Sequence, residues 1–113
     1  MLKKAFRITE NKDFQIVLKN GRFVHTGSFL LKYSKNTLIN SRFGFIVSTK
    51  TFKRAVDRNL AKRRFREVIR LNLDSIKEGY DIVFIIKKPA LVAGYRDLER
   101  DILNTLEKSR LIK

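Results

Sequence analysis

The chain has 113 residues, with 26 Lys and Arg against 11 Asp and Glu, a formal charge of +15, and 43% hydrophobic residues. That is the length of one domain with apolar material for a packed core, and the charge balance points to a polyanionic partner, above all a nucleic acid. The absence of Cys and the single His exclude disulfides, thiol catalysis, Cys-ligated zinc and multi-histidine metal centres, and no apolar run approaches the ~18 residues of a membrane span.

In chain order, residues 11–19 predict a short helix. Asn11 is the N-cap, Phe14, Val17 and Leu18 share one face, and Gly21 follows its end. Residues 22–34 are extended and divide into two strands. Phe29, Leu31 and Tyr33 alternate there with Leu30, Lys32 and Ser34. His25 reads as a solvated strand or turn residue. A turn over 36–41 leads to a strand over 42–48, with Phe43, Phe45 and Val47 on one face. Residues 50–70 read as mostly helix, closed by 74–79. Ile82-Val83-Phe84-Ile85-Ile86 is the pattern of a strand covered on both faces, ended by Pro89. Asp81, just before it, reads as a turn residue. A last helix runs from about 94 to 109, with Tyr95, Leu98, Ile102 and Leu106 in one stripe. The order αβββαβα describes an α+β fold, three helices packed on one small sheet, and a single domain over 1–113. The basic start, Met1 to Arg7, lacks the apolar stretch of a signal peptide, so a cytosolic protein is expected.

Residues 50–70 hold nine Lys and Arg (Lys50, Lys53, Arg54, Arg58, Lys62, Arg63, Arg64, Arg66 and Arg70) against two acids, Asp57 and Glu67. On a helical projection Ala61, Phe65, Val68 and Ile69 form an apolar stripe. Asn59, Arg63, Arg66 and Arg70 fall almost opposite, flanked by Lys62. Like charges at these spacings destabilise a free helix, and a partner that neutralises them is the simplest reason to keep them. Guanidinium groups suit phosphates because they bind in bidentate fashion, and Asn59 adds a donor and an acceptor for a base edge or a 2′-hydroxyl. A solvated basic face and a membrane surface are the weaker readings, the latter because the apolar stripe is needed for the core.

These residues resemble a known family. Val47-Ser48-Thr49-Lys50 followed by Arg54-Ala55-Val56-Asp57-Arg58-Asn59-Leu60-Ala61-Lys62-Arg63-Arg64-Phe65-Arg66-Glu67 is similar to the signature of the protein subunit of bacterial ribonuclease P. The likeness extends to Arg7, Asp13-Phe14, Lys19-Asn20-Gly21, Gly79-Tyr80-Asp81 and Lys87-Lys88-Pro89-Ala90. It departs at Leu60, where the family's Arg-Asn-Arg triplet has its third arginine; Arg64, one turn on, is the candidate replacement.

The resemblance implies a ribosomal-protein-like α/β sandwich with a four-stranded sheet and a left-handed βαβ crossover through the basic helix. It also implies the protein component of a tRNA-processing ribonucleoprotein endonuclease, a hydrolase whose catalytic groups and Mg2+ belong to its RNA. The implied partners are the ribonuclease P RNA subunit and precursor tRNA, in the bacterial cytoplasm, with no membrane and no obligate protein partner. No catalytic or metal-binding residue and no cofactor is expected on this chain. The RNA subunit would meet Lys50, Lys53, Arg54, Arg58, Asn59, Lys62, Arg63, Arg66 and Arg70. The 5′ leader would lie in a cleft between the first helix and the sheet, at Arg7, Phe14, Phe29, Lys32 and Tyr33, with Leu18 where the family often has another aromatic. The alternative is a non-catalytic ribosomal or translation-associated RNA-binding protein.

Overall fold

The computed structural model describes residues 2–113. Its elements are α1 (Asn11–Asn20), β1 (Arg22–His25), β2 (Phe29–Lys35), β3 (Arg42–Ile46), α2 (Ala55–Leu71), β4 (Tyr80–Ile86), α3 (Pro89–Val92) and α4 (Tyr95–Lys108), with single 3-10 turns at Lys4–Phe6 and Leu73–Ser75. The strands form one sheet in the order β1-β2-β4-β3. β2 is antiparallel to both β1 and β4, and β3 lies parallel to β4, so α2 is the helix of a βαβ unit.

The extended segment 22–34 breaks at Thr26. Its hydroxyl accepts from the backbone N–H groups of Ser28 and Phe29 and closes the hairpin. Asp81 is not a turn residue; it lies within β4 and is buried. Pro89 ends the strand segment and also opens the one-turn α3, a fourth helix beyond the expected three. Proline has no N–H to lose at a first helical position.

Because β4 is central, both of its faces are covered. On one side Phe29, Leu31, Phe43, Ile82 and Phe84 meet the apolar stripes of α2 and α4 in the main core. On the other, Val83 meets Ile8 and Val17, with Phe14, Leu18, Ile46 and Ile85 partly buried around them beneath α1. Gly21 caps α1 with an ordinary φ of −73°. Its role is close approach, since a Cβ there would sit 2.4 Å from the Val17 carbonyl oxygen and 3.0 Å from that of Tyr33. The end of α1 thus presses directly on β2.

Candidate nucleic-acid interface

The basic segment does not enter its helix at residue 50. Residues 48–54 form a loop pinned by buried Phe52, whose N–H donates to the Ser48 carbonyl at 2.9 Å. α2 starts at Ala55. Lys50, Lys53 and Arg54 therefore stand exposed on the loop. Arg58 reaches back to donate to the carbonyls of Phe52 and Lys53 at 2.9 and 3.1 Å, tying loop to helix.

Within α2, Ala61, Phe65, Val68 and Ile69 are buried as the periodicity requires. Phe65 sits edge-on to Phe29 and tilted against Phe84. Asn59, Arg63 and Arg70 are exposed on the opposite side, and Lys62 is half-buried beside them. Arg66 lies with its guanidinium carbon 6.0 Å from the Phe45 ring centre. Its Nε is buried without a partner among the described residues. Arg70 is held by both oxygens of Glu67. That bond lowers the Glu67 carboxyl below its ordinary range and raises the Arg70 guanidinium in turn. Among the described residues Lys50, Lys53, Lys62, Arg63 and Arg66 have no carboxylate partner.

Arg64, the candidate replacement for the arginine missing at Leu60, is engaged through Nη1. Its Nη1 donates to the carbonyls of Leu91 and Ala93 at 2.9 and 3.0 Å, with Ala90 further off at 3.4 Å. That nitrogen closes α3, as basic side chains do at helix C-termini.

On the other side of the sheet, α1 is fastened at both ends. Arg42 donates to Asp81 through Nε at 2.9 Å and Nη2 at 2.7 Å, and to Asp13 of α1 at 3.3 Å. Asn36 completes the Asp81 shell at 2.9 Å. These bonds raise the Arg42 pKa despite partial burial. At the far end Lys32 Nζ donates to the Leu18 carbonyl at 2.8 Å, a cation on a helix C-terminus. Between the two ties the Phe14 ring lies on Gly44, where a Cβ would come within 2.3 Å of it.

Two of the expected cleft residues lie elsewhere. Phe29 is 0% exposed in the main core, because Phe29, Leu31 and Tyr33 share the face beneath α2 and α4. It has no free ring face for a base. Tyr33, on that same face, is turned away from α1. Lys32 is on the α1 side, with one ammonium proton committed to α1. Phe14 is on the α1 side and half-buried. Arg7 runs along the edge of β3, bridged to Phe43, with its Nε buried and unpartnered among the described residues.

The aromatic that sequence reasoning missed is Phe23. It pairs across β1–β2 with Lys32, stands on the α1 side of the sheet, and is 62% exposed. His25 meets it edge-on at 5.7 Å. The signal was the alternation Arg22-Phe23-Val24-His25, legible only once Lys32 is known to face α1.

The family model described as Ribonuclease P matches residues 2–110. The chain belongs to the ribonuclease P protein family. A Fusobacterium nucleatum protein named ribonuclease P protein component is 38% identical over 109 residues, covering 93% of this chain and 97% of that one. An Alkaliphilus oremlandii protein of the same name is 34% identical, covering 98% and 96%. Among solved structures, the Staphylococcus aureus RNase P protein superposes with a TM-score of 0.86 at 30% identity, covering 97% of this chain and 100% of that one. The Thermotoga maritima RNase P protein gives 0.82 at 30% identity, covering 90% and 96%. Membership bears out the α+β sandwich and favours assistance to an RNA subunit in tRNA 5′ processing over the ribosomal alternative.

Proposed function

We propose that the chain serves its ribonucleoprotein as an RNA holder with two working surfaces, one for the RNA subunit and one for the precursor tRNA. The loop 48–54 and the outer side of α2 bind the RNA subunit. The α1 side of the sheet takes the unpaired 5′ leader, with Phe14 and Phe23 offering rings beside Lys32. The reading is supported above all by the cations of α2: a helix locked to the core through Phe65 holds them in place, and those without carboxylate partners remain available to phosphate.

The bond cleavage belongs to the RNA in this reading, and so does the Mg2+. The acids of the basic helix do not fit a protein-bound ion. Glu67 is bound by Arg70, and Asp57 faces Arg54 at 4.0 Å. Among the described residues no group of three or more Asp, Glu or His converges. Among the described residues no helix is long and apolar enough to cross a membrane, and the bacterial cytoplasm is the proposed place of action.

The protein's contribution is electrostatic and geometric. Cations beside both RNAs reduce the phosphate repulsion that Mg2+ otherwise screens. Reconstitution tests this. The chain mixed with a bacterial ribonuclease P RNA should restore leader removal from precursor tRNA at low Mg2+, while the chain alone leaves the precursor intact. Cleavage by the chain without the RNA subunit would overturn it.

A further inference from the structure

A cationic concavity of about 480 Å³ lies between the edge of the sheet, the C-terminal residue of α1, Asn20, and the end of α4, away from α2. Arg22, Lys35, Lys77 and Arg110 line it together with Tyr33 and Tyr80, whose rings meet edge to face at 6.5 Å. No carboxylate lines it, and none of the four cations has an ion-pair partner among the described residues. Glu78 lines the adjoining concavity, which shares Lys35, Lys77 and Tyr80 with this one, and is paired with Lys113 at 3.6 Å.

Two further features are costly for the free protein. Arg110 adopts a φ of +60° at the residue after the C-cap of α4, where the Leu111 N–H bonds back to Leu106 at 2.8 Å. Glycine or asparagine fills that position with little strain, yet here it carries an arginine facing the concavity. Ser109, also in the lining, has its hydroxyl oxygen buried without a partner among the described residues.

We propose that this concavity is an additional RNA-binding site, taking the phosphodiester backbone of an unpaired RNA segment other than those held on α2 and on the α1 side. Four unpaired cations supply the charge. Two tyrosines beside a cationic track are the usual means of holding a single strand. Among the described residues no aliphatic side chain lines the concavity, which disfavours a lipid surface. The site shares no residue with α2, so it does not depend on how α2 binds RNA.

The test is titration of the full 15N-labelled chain with an unstructured ten-nucleotide RNA, following the amide signals of Tyr33, Lys77, Tyr80, Ser109 and Arg110. These should move during the titration, including in a chain carrying Arg63→Ala. The double substitution Arg22→Ser with Arg110→Gly should weaken decamer binding in that background by roughly 3- to 10-fold and flatten the log–log salt slope by about 0.7 per lost phosphate contact. Arg110→Gly relieves the backbone strain, so the variant stays folded, which its thermal midpoint checks. Signals that move only in α1 and α2 would overturn the proposal while leaving the function above intact. Equal displacement of the decamer by a polyglutamate peptide of matched charge would also overturn it, because the concavity would then be a general anion patch.

Discussion

Single residues in α2 divide into those that fold the chain and those that face outward, and substitution separates the two roles. Phe65 is fully buried among the rings of Phe29, Phe45 and Phe84. Phe65→Ala should cost about 3–5 kcal/mol of stability, read from denaturant unfolding. Arg63 is exposed and touches none of these rings, so Arg63→Ala should leave stability within about 0.5 kcal/mol. It should flatten the salt slope of RNA-subunit binding by up to ~1. Arg70 differs from Arg63 because Glu67 holds it. With its folded pKa depressed, Glu67 keeps its charge, and its hold on Arg70, above the ordinary carboxylate range. The hold is lost only as pH falls through that lowered value, so it persists at neutral pH. Glu67→Gln should therefore free Arg70, tighten RNA-subunit binding and steepen the salt slope by up to ~1; an unchanged slope would place Arg70 away from the RNA. The inward and outward sides of α2 were legible from the 3.6-residue period. The fates of Arg64 and Arg70 were not, because they depend on the carbonyls of α3 and on a neighbouring acid that periodicity does not rank.

At the scale of elements, α1 is an added layer rather than part of the main core. Three ties hold it: Arg42 to Asp13, Lys32 to Leu18, and Phe14 on Gly44. Gly44 is the sensitive member, since its missing side chain is the space that Phe14 occupies. Gly44→Ala should push the ring off the sheet and cost about 1–3 kcal/mol as an overpacked contact. In the folded remainder, holoenzyme affinity should fall for leader-bearing precursor and hold for mature tRNA. Equal loss for both RNAs would detach α1 from leader binding. Helix and strand positions were largely legible from periodicity and from punctuation by Gly21 and Pro89. The start of α2 was misplaced because Lys50 to Arg54 suit a helix by composition, whereas burial of Phe52 bends the chain into a loop. Phe29 and Tyr33 were misassigned for a related reason. Alternation along β2 shows which residues share a face, but only the placement of α1 and α2 says which face is covered by which helix.

Across the whole molecule, the sheet keeps the two proposed RNA-binding surfaces apart. α2 packs on one face and α1 on the other, so the outer side of α2 and exposed Phe23 look in different directions. Substitutions at separated sites with no shared partner add to within about 0.3–0.5 kcal/mol. Arg63→Ala should weaken assembly with the RNA subunit, whether or not a leader is present. Phe23→Ala should remove one stacking surface, worth about 1–3 kcal/mol, from precursor binding by the assembled holoenzyme, and leave mature tRNA binding and the assembly salt slope unchanged. Phe23 is already exposed, so its removal leaves no cavity, and loss of affinity through unfolding is not expected. The double variant should show the sum of the two losses in the free energy of forming the complete complex. A coupling well above 0.5 kcal/mol would mean that one continuous RNA path wraps the edge of the sheet and engages both residues at once. The concavity at Arg22 and Arg110 would then be the place to look for its course.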